Sequence, residues 1–344
     1  MRRYILFAFL FCCFLANGSN GFAAKNVSKE VVVYTSIDDI FARPITKRFE
    51  QKTGIHVKLV PDTEETKSTG LLNRLIAEKN RPQADVFWSG DPVRAGILKE
   101  KGVAQSYKSP SSAGLPHEYS DPEGYWIGFS ARARVLLYNA NLIPKGSEPT
   151  SVMDLLNPRF KGKACMANPL FGTTSMHAAA LFEVLGDKKA REFFDGLIIN
   201  GVKMLSSNGE VRRRVAAGDF ALGFVDSDDA HEVIRDHKPV GVVYADEKGI
   251  GTLIIPNAAV LIRNGPSPDA GRAFIDYLVS AEAEQALAES DAAQIPLRAS
   301  VKVSAIVRPL SQIHSMHVDY NKLGTILDQI SRGFLREWVA KNKQ

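Results

Sequence analysis

Asp226, Asp228 and Asp229 fall within four residues in the stretch "GFVDSDDAHEV", directly after an apolar run, "FALGFV", that predicts a buried strand. Carboxylates this close repel one another unless a positive group or an array of donors sits among them. A hard cation would take several such oxygens, and Asp38, Asp39 and Glu65 elsewhere in the chain are candidates to complete its shell with Asp226 and Asp228. An organic ammonium would be held by the same carboxylates, with Tyr34, Trp88 or Trp126 adding cation–π attraction. The competing reading is that Asp228 and Asp229 cap the helix predicted by "DAHEVIRDH". One cap accounts for one carboxylate, and the excess is assigned to a ligand. An EF-hand loop is excluded, because counting from Asp226 puts His231 where the turn glycine belongs and His237 at the twelfth position.

A second feature has the opposite sign. In "FGTTSMHA" the residues Gly172, Thr173, Thr174 and Ser175 stand at a predicted helix start, where unpaired N–H groups and the helix dipole favour an anion and the hydroxyls add donors. A plain N-cap is the alternative there. Two other strands end on polar residues, "YTSIDD" with Ser36, Asp38 and Asp39, and "FWSGD" with Trp88 and Asp91. Asn208 and Ser227 belong to the same set of candidates. The histidines do not cluster at zinc-ligand spacing, so metal binding through nitrogen and sulfur has no support. A strand followed by "DSDD" also resembles the DxD motif of phosphatases and glycosyltransferases, which keeps an enzyme as the alternative class. No G-x-S-x-G, Walker loop or H-E-x-x-H is present.

The elements that must position these residues alternate. "EVVVYTS", "IHVKLV" and "ADVFWS" each precede a helical pattern, which predicts parallel strands with crossover helices. "IGFSARARVLLYN" reads as a long strand passing between two lobes, a second α/β set follows it, and "GTLIIPNAAVLIRN" reads as the return. "PDAGRAFIDYLVSAEAEQALAES" predicts one long helix from Asp269 to about Ser290. The expected organisation is a signal peptide over 1–24, lobe one over 25–130 and 256–310, lobe two over 131–255, and C-terminal helices over 311–344. A ligand then falls in the cleft where the strand ends of both lobes meet.

The N-terminus sets the compartment. Arg2 and Arg3 precede an apolar run from Tyr4 to about Ala16, and small residues follow near Ala23, the pattern of a secretory signal. The run is short of the roughly 20 residues a spanning helix needs. Cys12 and Cys13 raise a lipid anchor as the rival reading, but "FLFCC" lacks the small residue that precedes a lipidated cysteine. Cys165 alone cannot form an intramolecular disulfide and is expected to be a buried small hydrophobe. Without Arg2 and Arg3 the chain keeps 41 Lys and Arg against 38 Asp and Glu, spread out, which gives nucleic-acid binding no footing. The basic cluster "VRRRV", Val211 to Val215, is expected to be a solvated helix face.

Taken in order, "VVVYTSIDDIFARPITKRFEQKTGIHVKLV", "ADVFWSGDPVRAGILKEKGV", "NPRFKGK", "GDFALGFVDSDDA" and "IPNAAVLIRNGPSPDAGRAFIDYLVSAEAEQALA" resemble the periplasmic ferric-iron-type solute-binding proteins of ABC importers. The resemblance covers nearly all of the chain after the signal. It implies a two-lobed α/β receptor of the type II periplasmic-binding-protein fold, monomeric and without a covalent cofactor, that closes on a small ligand and serves a permease with an ATPase subunit. Members that hold ferric iron typically use adjacent tyrosines, a histidine after the first strand, a glutamate, and an anion at a helix start. Here Ile37-Asp38-Asp39 follows the first strand and Asp226-Ser227-Asp228-Asp229 stands where the tyrosine pair would fall. Glu64 or Glu65 would supply the glutamate, and "FGTTSMHA" matches the anion-holding helix start. The expected ligand is ferric iron or another hard cation with a synergistic anion, on Asp38, Glu65, Asp226 and Asp228. Organic phosphates, phosphonates and ammonium solutes are the alternatives.

Overall fold

The computed structural model describes residues 29–62, 69–303 and 305–342. The signal reading of residues 1–24 and the candidates Glu64 and Glu65 lie outside them. No helix among the described residues is long and apolar enough to cross a membrane.

Valine-rich β1 (Glu30–Thr35) takes the middle of a parallel trio between β2 (His56–Pro61) and β3 (Val86–Ser89), because β-branched side chains suit a strand buried on both faces. The crossovers are α1 (Asp39–Thr53) and α2 (Thr69–Ala77), and α3 (Pro92–Glu100) follows β3. Asp91 starts α3 by accepting from the Arg94 N–H at 3.0 Å, with Pro92 at the first helical position. After the short β4 (Ala104–Gln105) comes the expected link, β5 (Ile127–Asn139). Its pairing partner changes along its length. Ile127 to Ala133 pair with β10 (Ile254–Ile262), and Arg134 to Tyr138 pair with β8 (Leu222–Asp226).

The second lobe adds β6 (Ala164–Ala167), α4 (Gly172–Leu185), α5 (Asp187–Ile199), β7 (Lys203–Leu205), α6 (Asn208–Ala217), α7 (Ser227–Arg235) and β9 (Val240–Val243). The resulting sheet runs β2-β1-β3-β10-β5-β8-β6-β7, with β4 on β10 and β9 on β5. One continuous strand therefore belongs to both lobes, and the sheet turns from one to the other between Ala133 and Arg134. Gly128 in that strand must be glycine, since a Cβ there would lie 1.9 Å from the Tyr119 carbonyl oxygen.

The long helix expected from Asp269 is instead two, α8 (Pro268–Leu278) and α9 (Ala281–Glu289). Ser280 ends the first run and its hydroxyl accepts from the Ala283 N–H at 3.2 Å, so a local cap overrides the apolar periodicity. At the C-terminus α10 (Tyr320–Arg332) packs along both α3 of lobe one and α4 of lobe two, and α11 (Phe334–Lys341) seats Phe334 and Trp338 against Phe194.

Candidate functional site

A cleft of about 530 Å³ opens between the lobes at the carboxyl ends of β1, β6, β7 and β8. The starts of α4 and α6 both open on it, so two helix dipoles present their positive ends to one space. Gly172 begins α4 with φ +54°, a left-handed conformation that a side chain would strain, and no side chain caps this helix. Thr173 and Thr174 line the cleft. Ser207 caps α6 by accepting from the Glu210 N–H at 3.1 Å.

The strand-end carboxylates have partners that the sequence reading did not assign. Asp226, 4 % exposed, accepts from Arg134 Nη1 at 2.8 Å, from the Thr173 hydroxyl at 2.7 Å and from Asn208 Nδ2 at 3.3 Å. Arg134 is itself 1 % exposed, with its guanidinium 4.2 Å from the Phe224 ring centre. Asp228 lies 3.7 Å from Arg132, whose other nitrogen donates to the Gly90 carbonyl of lobe one. Asp229 meets Arg212 at 3.3 Å, and Arg212 also pairs with Glu232. Burial pushes the Asp228 carboxyl up to about 6; Arg132 acts in the opposite direction, while Asp226 and Asp38 add to the rise.

The positive groups implied by three adjacent carboxylates are thus arginines of the same chain. Arg132 and Arg134 sit two apart in β5 and face the same side of the sheet; the signal was the "RAR" alternation inside an otherwise apolar strand. Arg212 comes from "VRRRV"; Arg213 and Arg214 are exposed as the solvated-face reading expects, whereas Arg212 is half-buried, and Arg212 and Arg213 line the cleft. The cap reading is corrected too, since Asp226 is the residue at the α7 N-cap and makes no side-chain cap bond, while Asp228 and Asp229 lie in the first turn.

The other candidates divide. Ser36, Asp38, Gly172, Thr173, Thr174, Asn208, Asp226 and Asp228 line the cleft. Ser36 also accepts from the Gly90 N–H at 2.8 Å, and Asp38 is exposed at the rim. Asp39 pairs with Arg43 on α1, away from the lining. Ser175 and Ser227 are fully buried, their hydroxyls accepting from Arg94 at 2.7 Å and from the Ala133 N–H at 3.1 Å. Trp88 has no exposed surface and packs on Phe129, so it does not meet a ligand. The other two aromatics proposed for an ammonium turn away: Tyr34 bonds Glu78 under Arg74, and Trp126 donates to Asn321. Unforeseen from the sequence is an apolar wall on lobe one, where Ile37, Ile40 and Phe41 line the cleft and Ile40 is 67 % exposed.

Two buried histidines, His177 on α4 and His231 on α7, set a pH dependence of stability. Burial holds His231 down at about 4 and lowers His177 well below the usual range. Both are therefore neutral in the fold and protonate near 6.5 in the unfolded chain. Stability from such a group is present above the unfolded value and is lost as pH falls through the folded one. Asp228 acts in reverse, gaining on acidification below about 6. His231→Phe is expected to reduce the loss of stability between pH 7 and pH 5 by on the order of 1–2 kcal/mol, read from urea unfolding at both pH values. An unchanged pH dependence would contradict the assignment.

The comparisons agree on one kind of protein. The family model described as bacterial extracellular solute-binding protein matches residues 45–308. Iron uptake protein A1 of Synechocystis is 25% identical over 87% of this chain and 84% of its own. A Trichodesmium protein solved in complex with iron and citrate superposes with a TM-score of 0.76 at 25% identity, covering 90% of this chain and 99% of that one. The periplasmic binding protein AfuA of Actinobacillus pleuropneumoniae, solved with fructose-6-phosphate, gives 0.80 at 23% identity over 92% and 99%.

Proposed function

Since the chain belongs to the bacterial extracellular solute-binding proteins, a family of receptors rather than enzymes, we propose that it captures ferric iron or another hard cation together with a synergistic anion. The loaded receptor then delivers this cargo to an ABC permease and its ATPase from the periplasm. The observation that carries the reading is the pairing of Asp226, Asp228 and Asp229 with Arg134, Arg132 and Arg212 beside two open helix starts. With their charge offset by arginines, these carboxylates offer a bare cation little net attraction. The anion therefore supplies most of the metal's oxygens, and the protein grips the assembly through that anion. The N–H groups of the first α4 turn and the Thr174 hydroxyl are its donors, while the Thr173 hydroxyl is committed to Asp226 beside them. The apolar wall of Ile37, Ile40 and Phe41 suits an organic anion over an inorganic one. Two iron-related relatives support the metal, one of them holding citrate with it.

Closure follows from the two-sided lining. Contacts from Ser36 and Asp38 on lobe one and from Arg212 and Arg213 on lobe two can be made together only when the lobes are shut. The ligand then shifts the open–closed equilibrium by its differential affinity, and the closed form is what a permease can recognise.

A second reading is a phosphorylated organic solute without metal, favoured by the same arginine pairing, since a phosphate would use the helix starts and Arg213 directly. One titration separates them. Ferric iron with citrate is expected to raise the unfolding midpoint in proportion to about 2.7 kcal/mol at a hundredfold excess over Kd, citrate alone by a smaller amount, and fructose-6-phosphate not at all. A shift from fructose-6-phosphate with none from ferric citrate would transfer the function to organic phosphate uptake.

A further inference from the structure

Arg94 is a charged residue of lobe one, in the first turn of α3, with 2 % of its surface exposed. Its Nη1 lies 3.2 Å from Asp91 and donates to the Gly172 carbonyl of lobe two at 3.3 Å. Its Nη2 donates to the Ser175 hydroxyl at 2.7 Å, and that hydroxyl passes its own proton to the Gly172 carbonyl, also at 2.7 Å. The first turn of α4 is thereby bonded to the opposite lobe. α10 lies along both helices and continues the same connection in packing, with Gly324 close to the Val93 carbonyl on the α3 side.

A guanidinium beside the positive end of a helix is unfavourable. Asp91, 1 % exposed, offsets it, and an anion at Thr173 and Thr174 would do the same from the other side. Resting on the reading that these threonines hold the anion, we propose that Arg94 is a positioning residue that fixes the α4 start to lobe one, so that the anion donors stand on the pivot and are set before the lobes close. Thr173 is bonded to Asp226 and Asn208, so lobe two then swings as one body about this attachment, and its far edge with Arg212 and Arg213 travels most. The anion binds first, and closure brings the remaining side of the cleft onto it.

Removing Arg94 alone would strand Asp91, so the test uses Arg94→Met with Asp91→Asn, which keeps the α3 cap. Amide hydrogen exchange of the ligand-free protein is the first readout. The amides of residues 175–178 are expected to exchange at least about tenfold faster in the double variant, while those of the first α6 turns are unchanged. Arg94→Lys, which keeps one donor, is expected to fall between the two. In a second arm, inorganic phosphate and ferric citrate are expected to bind about tenfold or more weakly to the double variant. Native exchange at residues 175–178 would overturn the proposal, as would native affinity with altered exchange. If the unmodified protein answers neither probe, the iron reading falls, and the exchange arm still decides for or against Arg94.

Discussion

Asp226→Ala is expected to destabilise the ligand-free protein by about 3–5 kcal/mol, because it leaves the Arg134 guanidinium buried without its counter-charge. The Thr173 hydroxyl loses its acceptor at the same time, and Arg134 and Asn208 each lose one of theirs. Urea unfolding of the apo protein measures this directly. A loss under about 1 kcal/mol would mean that the pair is solvated in solution and that Asp226 is free to serve a ligand. Replacing both partners, Arg134→Met with Asp226→Leu, removes the stranded charge and is expected to recover much of the loss. The double variant also separates two meanings of a lost ligand response. Asp226→Ala alone confuses unfolding with lost binding, whereas the repacked pair keeps the fold and tests the site.

Glu284→Ala is expected to cost at least as much, on the order of 3–5 kcal/mol for the stranded Arg298 and more for the two N–H groups left unpaired. Glu284 is completely buried on α9 and accepts from the N–H groups of Ser130 and Leu297, both at 2.9 Å, and from Arg298 Nη1 at 2.8 Å. Ser130 has a φ of +37° in the very strand that links the lobes, so this carboxylate holds a strained backbone at the crossing. Against a typical total of 5–15 kcal/mol, such a loss leaves the chain marginal. Glu284→Gln keeps an acceptor and is expected to lose less. Equal urea midpoints for Glu284→Ala and the unmodified protein would refute the role.

How much of the molecule was legible can be argued from single elements. The β-branched run of β1, the helical pattern that follows "ADVFWS" and the apolar length of β5 are local signals, and each element formed where its residues predicted. Ser280 was equally local, yet its cap was hidden under a periodicity that runs through it, and one expected helix became two. Among site residues, those at strand ends and helix starts were readable, because a βα junction exposes polar side chains to a cleft wherever the strand lies in the sheet. Ser175, Ser227 and Trp88 share those junctions but face the protein interior.

The order of elements thus determined an α/β chain that crosses between two lobes and the places along it where a ligand could be met, and the resemblance carried by its motifs supplied the class of receptor. The tertiary structure decided the charge of the site. Asp226 is 92 residues from Arg134, and only the antiparallel register of β5 with β8 sets them opposite one another. Periodicity tells that a side chain faces one side of a strand and is silent on what the neighbouring strand presents there. That silence is why three carboxylates looked like a place for a foreign cation, and why their arginines appeared only once the strands were paired.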